Sequence, residues 1–143
     1  MPAIVVIAHE PLASALVSAA KHVYSRDPCA ASRQLAGLDV APDADTAVVI
    51  GQAQALLAQV DRGQGVLVLT DIPGATPGNV AARLAQPGRV AVVAGVNMPM
   101  LLRSLCYGDL NLEELVTKAL AGGANGIQLL APAPSAETPT KTA

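Results

Sequence analysis

His9 ends the apolar run Ala3-Ile4-Val5-Val6-Ile7-Ala8 and precedes Glu10-Pro11, after which apolar residues recur at helical spacing. A β-branched run of this length bounded by Pro reads as a buried parallel strand. In an open α/β sheet, ligands and chemistry collect at the carboxyl ends of such strands. A histidine placed there carries a nucleophilic nitrogen near neutral pH, beside a helix N-terminus that favours anions. Two other apolar runs also end in polar residues: Gly65-Val66-Leu67-Val68-Leu69-Thr70 in Asp71, and Val90-Ala91-Val92-Val93-Ala94 in Gly95-Val96-Asn97. If these strands are neighbours about 4.8 Å apart, a carboxylate from one reaches the imidazole of another. Such a contact orients the ring, fixes one nitrogen as donor and leaves the other free to attack, with the carboxylate favouring the cationic ring formed on attack. The plainer alternatives are His9 as a hydrogen-bonding loop residue and Asp71 as a cap on the turn that follows it.

The loop Gly74-Ala75-Thr76-Pro77-Gly78 adds a possible anion cradle. Gly74 permits close backbone approach, Thr76 offers a hydroxyl, and Pro77 suits the first turn of a helix whose amides point at a ligand. The loop is neither GxxxxGK[ST] nor GxGxxG and has no lysine beside it, so its size suits one phosphoryl-like anion. Among lesser candidates, His22 reads as a helix-surface residue. Met98 and Met100 read as core or a partner-facing patch, and Arg103 reads as a helix-surface cation.

These residues need elements to position them, and the chain alternates strand and helix. Strands are expected at 3–8, 34–40, 65–70 and 90–94, with a short last one at 126–130. Helices are expected at 11–25, 47–60, 78–86, 98–107 and 112–120, with Pro42-Asp43-Ala44-Asp45 marking one helix start. Val48-Val49-Ile50 resembles a strand, but the Ala/Gln/Leu periodicity around it favours helix. The pattern predicts an α/β fold: a three-layer, doubly wound, mainly parallel sheet of four strands plus a C-terminal edge strand. Residues 1–130 form one domain in this reading, and 131–143, rich in Ala, Pro and Thr, a disordered tail.

Composition limits the function further. Apolar residues make up 52% of 143, yet there is no Phe or Trp, so Ala, Val, Leu and Ile must form the core. Net charge is -2 with nine scattered basic residues, which argues against a nucleic-acid surface. No apolar stretch is long enough for a membrane span and no signal segment opens the chain, so a cytoplasmic protein is expected. Cys29 and Cys106 form no CxxC pattern and read as structural thiols. No metal or cofactor is expected.

The chain resembles the mannose-type enzyme IIA domain of the bacterial phosphoenolpyruvate-dependent sugar phosphotransferase system over residues 3–130. The resemblance rests on the strand ending in His9, on Asp71-x-x-Gly74-x-Thr76-Pro77-x-Asn79, and on Ala94-Gly95-Val96-Asn97-Met98-Pro99-Met100-Leu101. It implies a phosphotransferase that takes a phosphoryl group from phospho-HPr onto His9, through Nε2, and passes it to a IIB protein or a regulatory target. Asp71 would orient Nδ1, and Thr76 with Gly74 and Ala75 would hold the phosphoryl group. It also implies a homodimer with the last strand exchanged. The chain departs from the family pattern in having Ala8 and Glu10 around the histidine, where small residues and glycine are usual, and Ala75 for a second loop glycine. No IIB domain follows in this sequence, which suits a freestanding regulatory IIA protein at least as well as sugar uptake. A subunit of a dihydroxyacetone kinase system and a non-catalytic anion-binding regulatory module remain as alternatives.

Overall fold

The computed structural model describes residues 1–107 and 109–134. Four parallel strands, β1 (Ala3–His9), β2 (Leu35–Val40), β3 (Val66–Thr70) and β4 (Val90–Ala94), form one sheet in the order β2-β1-β3-β4. The chain leaves β1 for one neighbour, β2, and then returns to lay β3 on its other side. The direction of winding therefore reverses between β1 and β3, the topological switch point at which open α/β sheets bind ligands.

Helices cover both faces. On one lie α1 (Leu12–Val23), the short α2 (Pro28–Ser32), α5 (Met98–Cys106) and α6 (Leu112–Asn125); on the other lie α3 (Thr46–Val60) and α4 (Thr76–Leu84). The two-residue period of a strand divides β1 between two cores. Ile4, Val6 and Ala8 join the α1/α5/α6 layer, and Ala3, Val5 and Ile7 join the α3/α4 layer. All five residues of β3 are buried, as a strand covered on both faces requires. With no Phe or Trp in the chain, aliphatic side chains and alanine make up most of both cores.

The four expected strands and the helical reading of Val48-Val49-Ile50 are present, with boundaries shifted by a residue or two. Three features differ. Helix α2 had no periodic signal; its capping comes from Asp27, whose carboxylate accepts the Cys29 and Ala30 amides at 2.9 and 3.3 Å. Helix α6 runs on to Asn125, through Gly122 and Gly123. These glycines are packing residues: a Cβ on Gly122 would lie 2.5 Å from the Cβ of Arg103, and one on Gly123 2.8 Å from the Met100 Cε. Residues 126–130 make no strand within this chain, having no sheet partner there, and Ile127, Leu129 and Leu130 are 78, 102 and 79% exposed. The expected tail lies mostly outside the described residues; 131–134 are exposed and irregular.

Candidate functional site

The ends of β1 and β3 bring His9 and Asp71 together. Ile7 pairs with Thr70, so the residues that follow meet just beyond the sheet. Asp71 Oδ2 accepts both the His9 backbone N–H at 3.0 Å and the ring Nδ1 at 2.6 Å. The other carboxylate oxygen accepts the Ile72 N–H at 2.9 Å. The Asp71 side chain is 8% exposed and that of His9 46%, so the carboxylate is enclosed while the imidazole still meets solvent. Burial alone would raise the carboxyl's pKa; the His9 amide, the His9 ring and the Ile72 amide outweigh it and hold Asp71 below the usual carboxylate range. An ionised carboxylate can only accept, so the proton between the two groups belongs to Nδ1. In the neutral ring the lone pair is therefore on Nε2.

Four helices begin at this edge of the sheet, and their starts differ. Asp45 caps α3 through the Ala47 amide at 2.9 Å, and Asn97 caps α5 through the Met100 amide at 2.9 Å. Helix α1 has no side chain at its own N-cap, but Asp39 of β2 accepts the Ser14 amide at 3.0 Å. Only α4 has no side chain on its first amides among the described residues; its N-cap is Ala75, followed by Thr76 and Pro77. The backbone there is shaped to reach over the helix. Gly74 takes φ +85°, and a Cβ on Gly78 would meet the Ile72 carbonyl at 2.4 Å. An open helix N-terminus beside a hydroxyl is an anion-binding arrangement.

The structure gives each of the other candidate residues its place. Asn97 shares the edge with His9, but its side chain caps α5 and donates to the Gly123 carbonyl at 3.2 Å, so it belongs to the packing of α5 on α6. Asp71 serves both His9 and the turn that follows it: one oxygen faces the His9 groups and the other accepts the Ile72 amide. Arg103 is exposed on α5, reaches the Tyr107 hydroxyl at 3.3 Å and does not enter this site. Met100 is core and Met98 half-buried against it. His22 is exposed in the last turn of α1, about 15 Å along that helix from its start. Cys29 and Cys106 are free thiols, half-buried and exposed respectively. The residue overlooked in the sequence is Asp39. An acid ending a weak strand marks it, and its register opposite Ala8 places it beside the start of α1. Among the described residues no three His, Cys, Asp or Glu side chains gather as metal ligands, and no helix is long and apolar enough to cross a membrane.

An imidazole with one nitrogen held by a carboxylate and the other free lies at the same sheet edge as the open start of α4. Comparison with known proteins gives the chain a family. The profile of the family described as the PTS system fructose IIA component matches residues 3–120, and the chain belongs to this family of mannose-type IIA components. The mannose-specific EIIAB component of Escherichia coli K12 is 35% identical over 113 residues, covering 71% of this chain. The chain spans about 35% of the length of that relative. Among solved structures, the mannose/sorbose-specific IIA subunit from Enterococcus faecalis superposes with a TM-score of 0.77 at 21% identity, covering 94% of this chain and 98% of its own. A IIA protein associated with the fucose utilization operon of Streptococcus pneumoniae gives 0.68 at 28% identity, covering 83% and 88%.

Proposed function

We propose that this chain is a phosphohistidine carrier that takes a phosphoryl group from phospho-HPr on Nε2 of His9 and passes it to a IIB-type or regulatory acceptor. The observation that carries this reading is the 2.6 Å contact between Nδ1 and a nearly enclosed Asp71, with the imidazole still half exposed. In the transfer the Nε2 lone pair attacks phosphorus as the donor's P–N bond breaks, and that bonding pair returns to the donor imidazole. Phosphorylation leaves the His9 ring cationic, and Asp71 is the group that offsets this charge. The phosphoryl oxygens would lie against the open start of α4, held by the backbone of Gly74 and Ala75 and by the Thr76 hydroxyl. The dihydroxyacetone kinase alternative is not favoured, since the relatives are IIA components of the sugar system.

The test is incubation with phosphoenolpyruvate, enzyme I and HPr, followed by intact-mass measurement. The wild type should gain one phosphoryl group that is labile in acid and stable in base. His9→Ala should gain none while keeping its circular dichroism spectrum, and His22→Ala should label normally. Labelling of His9→Ala would overturn the assignment.

The reading extends to a homodimer in which residues 126–130 lie on the partner's sheet. Exposed Ile127, Leu129 and Leu130 and the open edge of β4, where Val90, Ala91 and Val92 are only half-buried, support it. Removing residues 126–143 should give monomers or aggregates, whereas removing 131–143 should change nothing. Light scattering that finds the full chain monomeric at tens of micromolar would end the proposal, since an interface with Kd of about 1 μM is mostly occupied there.

A further inference from the structure

We infer that Glu10 sets the phosphoryl-transfer potential of His9: its carboxylate disfavours the phosphorylated form and so drives the group onward. The inference rests on the reading of His9 as the phosphoacceptor. The backbone of Glu10 is held by its amide, which donates to the Val40 carbonyl at 3.0 Å and continues the pairing of β1 with β2. Its side chain is exposed and makes no hydrogen bond or ion pair among the described residues. The Cα atoms of adjacent residues are 3.8 Å apart across a trans peptide. The carboxylate therefore stays within about one screening length, some 8–10 Å, of the His9 ring.

The surroundings do not neutralise it. No Lys or Arg occurs in residues 9–20, 34–61, 64–82, 90–102 or 119–134, which include the strand ends, helix starts and the end of α6 at this edge of the sheet. Of the other acids at this edge, Asp39, Asp45 and Asp71 each accept a backbone amide, from Ser14, Ala47 and His9 respectively, and Asp43, in the loop between β2 and α3, adds a further exposed negative charge. Glu10 has no such partner. A phosphoryl group carries a charge of about -1.5 to -2 at neutral pH, so adding one to His9 places it in the field of an uncompensated carboxylate. The amides at the start of α4 bind the group, whereas Glu10 opposes it. The balance lowers the population of the phosphorylated state without removing the nucleophile, which suits a carrier that must release what it accepts.

The measurement is the equilibrium partition of the phosphoryl group between HPr and this protein, for wild type, E10Q and E10D. An equilibrium is indifferent to any effect of Glu10 on docking or rate. E10Q should move the partition toward the phosphorylated protein by roughly three- to tenfold, tenfold being about 1.4 kcal/mol. E10D should stay close to wild type. In 1 M salt, where the screening length falls to about 3 Å, the E10Q difference should shrink toward unity. Equal partition for wild type and E10Q overturns the inference; so does a shift that E10D shares or that salt leaves unchanged, since either marks a structural effect on α1. Wild-type protein that acquires no phosphoryl group on His9 overturns the underlying reading instead, and is seen before any variant is compared.

Discussion

Two aspartates flank β3 and use the same acceptor chemistry for different ends. Asp61 caps the C-terminus of α3 ahead of the strand. Its carboxylate accepts the Gly63 and Gly65 amides at 2.8 and 3.2 Å and the Arg89 guanidinium at 3.2 Å. Asp71 follows the strand and accepts the amide and ring of His9 and the Ile72 amide. The Gly63 amide, against burial and with help from Gly65 and Arg89, holds Asp61 below the usual carboxylate range, as the His9 and Ile72 donors do for Asp71. A depressed pKa therefore does not mark the site. The partners do: Asp61 engages groups with nothing left to do, whereas Asp71 engages a ring whose second nitrogen is still free.

Exchanging each carboxylate for its amide tests this contrast. The largest effect is expected from Asp71→Asn. The amide preserves shape and can still accept one N–H, but it loses the charge that holds Nδ1 protonated and offsets the cationic ring. Phosphoryl transfer to His9 should slow by on the order of 10²-fold or more, with about 1 kcal/mol or less lost in stability. Transfer at the parental rate would remove Asp71 from the mechanism and make the two aspartates equivalent.

Asp61→Asn should give the opposite result. Transfer should remain within about twofold of wild type, while thermal unfolding shows a loss of about 1–2 kcal/mol, because two backbone amides lose a charged acceptor. Acid sensitivity sharpens the point. A carboxylate whose pKa is lower folded than unfolded contributes stability that is fully present above its unfolded pKa and is lost as pH falls through its folded one. Wild-type stability should therefore decline below the ordinary carboxylate range, and Asp61→Asn should flatten that decline. An unchanged acid limb would show that Asp61 contributes nothing there. The same sign applies to Asp71, so a proton spectrum of His9 should show the Nδ1–Asp71 link persisting through the ordinary carboxylate range and disappearing only in stronger acid.

Much of this was legible in the sequence because it follows from strand periodicity. The buried runs of β1 and β3 read as strands covered on both faces, and their adjacency in the sheet, conditional in the sequence, brings His9 and Asp71 together. Pro77 likewise marked the first turn of α4, which begins two residues before the expected 78. What escaped depended on three-dimensional packing. Gly122 and Gly123 look like a flexible lead, but α5 lies so close that only glycine fits, and the helix continues. Asn97 has the composition of a site residue, yet its oxygen is taken by the Met100 amide. In the sequence Asp39 only weakens the strand pattern of β2, because its partner, the Ser14 amide, is supplied by a different element. The expected fifth strand, 126–130, forms no strand within this chain, and its apolar residues are exposed instead.

The smallest expected effect is at Arg89, the counterpart of His9 in this comparison. Both are cationic or ionisable side chains against an aspartate, but the Arg89 side chain is 63% exposed and lies 3.2 Å from Asp61. An exposed ion pair contributes about 0–1 kcal/mol, since solvent screens it and ordering two side chains opposes it. What Arg89 gives the fold comes from its backbone: its carbonyl accepts the Val66 amide at 2.9 Å, linking the start of β3 to the turn before β4. Arg89→Ala keeps that bond and should cost no more than about 0.5 kcal/mol in urea unfolding, with unchanged phosphoryl transfer. A loss comparable to that of Asp61→Asn would mean that the ion pair, and not the Gly63 and Gly65 amides, fixes Asp61. The two aspartates would then both be defined by side-chain partners, and His9 would differ from Arg89 only in having a nitrogen left over.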